Sequence, residues 1–176
     1  MKKQWKKTSV AAATVLAACT LVPTSSYADE AEQDGLPVIA TAEASDTSDY
    51  EGSKIEVNQA QRSGDSEYVT ITWTMTITGD AVFEAQHNSN NLYRYNDRSV
   101  SSVTVTDADS DVRYHPLQDS DGFCLCTGNF YPSNSIEDVE EGQPATFWNS
   151  YMLPKETKKV SLSVPGFAPA KDVPIE

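Results

Sequence analysis

Tyr68-Val-Thr-Ile-Thr-Trp-Thr-Met-Thr-Ile-Thr78 alternates apolar residues and threonines without interruption. Successive side chains of an extended strand point to opposite faces, so Val69, Ile71, Trp73, Met75 and Ile77 share one face. The threonines share the other, where a β-branched hydroxyl side chain suits a pleated, half-exposed surface. A helix would scatter the same residues around its circumference. The run is therefore a strand with one buried and one solvated face, and Trp73 sits at the middle of the buried one.

The flanking sequence repeats this reading in shorter pieces. Ile55 and Val57 begin a preceding strand, returned by the turn at Arg62-Ser63-Gly64-Asp65. Further strands are expected over 81–84, 92–95, 100–106, 112–117, 123–127, 145–151 and 160–164. Turn residues separate them at Gly79-Asp80, Asp107–Asp111, Asp119–Gly122, Glu141-Gly142 and Lys155-Glu156. No window offers a helical face longer than about two turns, so the α/β classes lack their helices. An all-β, immunoglobulin-like antiparallel β-sandwich of about seven or eight strands is expected over residues 54–176.

What precedes that domain reads differently. Lys2, Lys3, Lys6 and Lys7 are the only charged residues before Asp29, and an apolar run follows from Val10 to Val22. Thirteen residues fall short of the roughly 20 needed to cross a bilayer. A basic start, a short apolar run and small residues at Ser26-Tyr27-Ala28 define a secretory signal peptide over 1–28. Cleavage after Ala28 would release a secreted, extracellular protein. The alternative is lipid attachment at Cys19, because Leu16-Ala17-Ala18-Cys19 resembles the lipobox of bacterial lipoproteins. That anchor would hold the chain at the outer face of the cytoplasmic membrane.

Charge narrows the partners. The chain carries 13 Lys+Arg against 26 Asp+Glu, a net of −13. Loss of the four leader lysines takes the exported chain to −17. Phosphate binding needs clustered cations, so nucleic acid is excluded, and a membrane is reachable only through the anchor at Cys19. Residues 29–53 hold eight acids and no Lys or Arg, with few large apolar groups. This composition predicts a disordered acidic linker.

Two blocks carry a resemblance. Arg113-Tyr-His-Pro116-Leu117-Gln-Asp119-Ser-Asp121-Gly122-Phe-Cys124-Leu-Cys126 is one, and Val164-Pro165-Gly166-Phe167-Ala-Pro169 is the other. Together they resemble blocks of small exported actinobacterial immunoglobulin-like sandwich proteins. The resemblance implies the fold and export. It implies no chemistry.

Candidate sites come from residue chemistry alone. In an extended strand Cys124 and Cys126 would lie on one face with Cα atoms about 6.5–7 Å apart, so pairing them requires a bend. An oxidising compartment favours a disulfide between them. Soft thiolates would instead suit Cu(I) or Zn, with His87 or His115 as further ligands. Asp107, Asp109 and Asp111 alternate in one loop and could gather around Ca²⁺, although the EF-hand pattern fails at Val112 and Gln118. Nucleophile elbows, His-Glu-x-x-His and Gly-rich phosphate loops are all missing, and no cofactor is called for. Tyr93 and Tyr95 alternate on one expected strand, while Phe130-Tyr131 and Trp148 lie elsewhere. Aromatics on one sheet face make a platform for a glycan or a protein of the cell envelope. Trp148 falls outside the inward alternation of Phe147 and Tyr151, which singles it out. The sequence thus points to a noncatalytic exported binding or structural module, with redox or metal handling at the Cys-x-Cys pair as the alternative.

Overall fold

The computed structural model describes residues 35–46, 49–84, 95–96, 99–128 and 138–176. The signal peptide with Ala28, Cys19, the linker up to Asp34, His87, Tyr93, Phe130 and Tyr131 lie outside the described residues.

The threonine run forms the strand at the heart of the molecule. Among the described residues the strands are β1 (Ala40–Glu43), β2 (Lys54–Arg62), β3 (Tyr68–Thr76), β4 (Phe83–Glu84) and β5 (Thr104–Asp107). They continue as β6 (Arg113–Tyr114), β7 (Asp138–Val139), β8 (Ala145–Met152), β9 (Lys159–Ser163) and β10 (Ala170–Pro174). They form a four-stranded sheet in the order β1-β2-β3-β8, a second in the order β10-β9-β5-β6, and the pair β4-β7. Every strand pair is antiparallel. No helix occurs among the described residues, and the arrangement is consistent with a β-sandwich.

Packing follows the alternation. Val69, Ile71, Trp73 and Met75 are fully buried, while the intervening threonines of β3 are half-exposed. Trp73 stacks on Phe147 of β8 with ring centroids 4.5 Å apart, and Phe83 meets the edge of Phe147 at 6.0 Å. Val105, Val160, Leu162 and Val173 supply the second sheet's share of the core. Offset and edge-to-face contacts of this kind add to the area that the rings remove from water.

Strand β2 departs from strict alternation at one place. Its register with β3 slips between Val57 and Gln59, leaving Asn58 as the extra residue of a bulge. Ile55, Val57 and Ala60 are buried as a result, and Gln59 and Gln61 face solvent. Without the bulge, alternation from Ile55 would have turned Gln59 into the core. Asn58 is satisfied where it stands, donating to Pro37 O at 3.0 Å and accepting from Thr74 Oγ1 at 2.8 Å.

Two expectations are corrected here. Residues 29–53 were expected to be a disordered linker, and the described part of them is folded from Gly35. Ala40–Glu43 pairs with Lys54–Val57 of β2, and Tyr50 stacks on Phe167 at 5.6 Å. Acidic composition does not prevent an edge strand, because the backbone makes the pairing and Glu43 points outward. Residues 112–117 and 123–127 were expected as full strands. Only Arg113–Tyr114 is a strand in the first, and the second joins the sheet through single bridges.

These extra segments close the edges of the first sheet. β2 is covered by β1 along 54–57, and near its other end Glu176 bonds Ala60 and Arg62 through their backbones. The far edge of β8 is covered by Leu117 and residues 124–127. Covered edges suppress strand addition from other chains.

Candidate functional site

Antiparallel register places residues opposite one another on the same face of a sheet. On the outer face of β2, β3 and β8, one row across the strands reads Gln59, Thr72, Trp148 and the next reads Gln61, Thr70, Ser150. Thr74 pairs with Thr146 beyond the first row, and Tyr68 pairs with Met152 beyond the second. Trp148 is 41% exposed and Met152 49%, so β8 carries two large side chains on its open face. The outward placement of Trp148 agrees with the sequence pattern of Phe147 and Tyr151 turned inward.

The hydroxyls of this face are mostly spoken for. Tyr68 OH donates to Ser150 Oγ at 2.9 Å, and Thr70 Oγ1 lies 3.1 Å from the same oxygen. Thr74 Oγ1 donates to Asn58 Oδ1 and lies 3.0 Å from Thr146 Oγ1. Thr72, between these pairs and beside Trp148, makes no side-chain hydrogen bond to the protein. It borders a groove of about 310 Å³ lined also by Leu36, Pro37, Gln59 and Glu176.

Charge is scarce across the same face. Lys54 and Glu56 neutralise each other at 2.7 Å. Arg62 stands opposite the buried Val69, in register with the other face, and its guanidinium donates to the carbonyls of Ser66, Leu153, Pro154 and Thr157 at 2.9–3.2 Å. Among the described residues, Glu176 is the only ionisable one lining the groove.

Trp148 is held from both sides. Its backbone N–H donates to Thr127 Oγ1 at 2.9 Å, and its carbonyl accepts from Thr127 N at 2.8 Å. Ser150 N donates to Leu125 O at 3.0 Å, and Cys126 bridges Asn149. The disulfide joins Cys124 and Cys126, with Cα atoms 5.3 Å apart. That distance is shorter than an extended strand allows, so the chain bends at Leu125 as the sequence geometry required. Asp119 starts the approach, its Oδ1 accepting from Asp121 N and Phe123 N at 2.9 Å each. Both cysteines are nearly buried, at 8% and 6% exposure, and the disulfide leaves no thiolate for a soft metal.

The carboxylates of the aspartate loop do not gather at one point. Asp107 Oδ1 accepts from Asp109 N at 2.9 Å, and Oδ2 accepts from Thr157 Oγ1 at 2.8 Å. The Asp109 N–H, then the Thr157 hydroxyl, hold the Asp107 carboxyl below its usual range. Asp107 is buried while Asp109 and Asp111 face solvent, so the three carboxylates do not converge. No cluster of three or more potential metal ligands occurs among the described residues. Alternate aspartates here build a turn, with Asp111 at φ 55° closing it through its N–H to Asp107 O.

Tyr95 also departs from its expected role. It is half-buried against the core, and its hydroxyl donates to Pro116 O at 2.6 Å. It lines a separate cleft with Arg113, Tyr114 and His115, away from Trp148. Burial, then the Arg113 charge, lower the pKa of His115. Of the aromatic candidates, Trp148 alone among the described residues stands on an open sheet face. No pattern in the sequence marks Gln59 and Thr72 as its neighbours, because the bulge at Asn58 and the strand register bring them there.

No protein-family model matches this chain, and none of the curated proteins or solved structures compared with it gives a significant match.

Proposed function

We propose that the chain is a noncatalytic module exported to the cell envelope or extracellular space, an immunoglobulin-like sandwich that recognises an envelope partner through one sheet face. The observation that carries this reading is Trp148, 41% exposed on a strand that otherwise buries its aromatics. A large amphipathic ring on a rigid strand offers contact area at little entropic cost, which is how binding anchors are built. The sequence features of export and the acidic charge support the same reading. Redox or metal handling through Cys124 and Cys126 has less support, since both sulfurs are bonded and nearly buried.

Co-sedimentation of the purified full chain with isolated cell-envelope fractions tests it. The expected result is saturable association that Trp148→Ala abolishes while the far-ultraviolet circular dichroism stays unchanged. A chain that remains in the supernatant with every fraction overturns the reading.

A further inference from the structure

The outer face of β2, β3 and β8 has a chemistry narrower than "binding surface". Resting on the proposed binding role, we infer that this face takes a neutral polysaccharide, with Trp148 as the stacking platform and Thr72 and Gln59 as hydrogen-bonding groups.

The argument starts from what the row presents. Gln59, Thr72 and Trp148 stand in register across three strands, spanning two strand spacings of roughly 4.8 Å each. Trp148 offers an apolar ring face, Thr72 a hydroxyl without a protein partner, and Gln59 an exposed amide. A pyranose ring is the complementary object: its C–H face is apolar, and its rim carries hydroxyls that donate and accept. Aromatic stacking with a few placed polar groups is the usual composition of a small-ligand site.

Charge excludes the competing occupants. Lys54 is paired to Glu56, Arg62 is turned onto four carbonyls, and Glu176 is the only ionisable group in the adjoining groove. Among the described residues of this face, a phosphate- or uronate-bearing polymer would meet the acid Glu176 and no available cation, on a chain of net charge −13. A protein helix needs a continuous apolar groove, whereas Thr72 and Gln59 stand between Trp148 and the apolar residues Leu36, Pro37 and Ile39 of the adjoining groove and interrupt it. A neutral, hydroxyl-rich chain meets neither penalty.

The site is also firm. The hydrogen bonds of Thr127 fix the backbone at Trp148, and the Asn58 bulge fixes the outward direction of Gln59. Preorganised groups lose little entropy on binding.

Fluorescence titration of the full chain with cellohexaose, chitohexaose and maltohexaose tests the inference, with polygalacturonate and heparin as anionic comparisons. Trp73 is fully buried and Trp5→Phe removes the third indole, so in that background a binding-induced shift of tryptophan emission reports on Trp148. The expected result is a saturable blue shift with at least one neutral oligosaccharide, little changed by added salt. Trp148→Ala, which lacks the reporting indole and is therefore titrated by calorimetry alongside the wild type, should bind roughly tenfold more weakly or worse, as loss of one anchor does. Thr72→Val and Gln59→Ala, which retain β3 and β2 packing, should each weaken it by a smaller factor. Trp148→Tyr should restore part of the affinity, separating loss of the platform from loss of the fold. Binding only to the anionic polymers overturns the inference. So does binding to no glycan while Trp148-dependent association with envelope fractions persists, a result that leaves the binding role intact and makes the occupant a protein.

Discussion

Trp73 donates its indole N–H to Oδ1 of Asn149 at 2.9 Å, and both residues are fully buried. The Asn149 amide in turn donates to Val100 O at 3.0 Å. One side chain thus ties β3, its neighbour β8 and the loop leading to β5 inside an apolar core. Such a group is stabilising only while all its partners are present.

Asn149→Ala should therefore be costly out of proportion to its size. It leaves the Trp73 N–H buried without a partner, a penalty of about 1–3 kcal/mol, and takes from the Val100 carbonyl one of its two donors, the Val103 N–H at 3.2 Å being the other. We expect a loss of about 2–4 kcal/mol in urea unfolding, with the m-value unchanged. A loss below about 0.5 kcal/mol would show that neither bond matters to the fold.

Arg62 has a comparable role at the end of the sheet. Its guanidinium donates to four carbonyls spread over the β2–β3 turn and residues 153–157. Planar, multidentate donation is specific to arginine, and lysine offers one compact ammonium on a flexible stem. Arg62→Ala should destabilise by about 2 kcal/mol, and Arg62→Lys should recover less than half of that. Equal stability of the Lys variant and the wild type would show that charge rather than geometry is what counts.

How much of this could be read from the sequence depended on how local each cause was. The alternation of β3, the outward direction of Trp148 and the Asp119–Gly122 turn follow from residues next to one another, and all are present. The strand Ala40–Glu43 was missed, because it is set by the open edge of β2, and Tyr50 because its partner Phe167 is far away in the sequence. The part Asp107 plays was hidden for the same reason: Thr157, fifty positions away, donates to one of its oxygens. The Trp148 row was half legible. One strand announces an exposed indole, but only register and the bulge at Asn58 reveal what stands beside it.

The disulfide should matter locally more than globally. It closes a loop of about three residues, for which chain entropy supplies only about 1.5 kcal/mol. Its bend nevertheless shapes the segment that bonds Ser150 N and Trp148 O along the edge of β8. Cys124→Ser with Cys126→Ser should lower global stability by under about 2 kcal/mol. In the same variant, the amides of Thr127 and Ser150 should exchange with solvent at least tenfold faster, while those of Ile71 and Trp73 track the global change. Uniform acceleration at all four amides would show that the pair braces the whole domain instead of one edge.

Asp107 gives the domain an acid sensitivity whose sign can be worked out. The Asp109 N–H and the Thr157 hydroxyl favour the ionised carboxylate, so the folded pKa lies below the unfolded value of about 3.9. A depressed carboxyl contributes stability above the unfolded pKa, and that contribution disappears as pH falls through the folded value. Asp107→Asn keeps the shape but does not titrate. The stability difference between wild type and variant should therefore be greatest near neutral pH and shrink steadily as pH drops below about 4. Urea unfolding of both proteins from about pH 7 to about pH 2.5 measures it directly. Thr157→Val removes one of these bonds and should narrow the difference without abolishing it, since the Asp109 amide and Ser110 remain. A difference that stays constant through the acid range would mean that Asp107 is held by shape alone, with no preference for its charge.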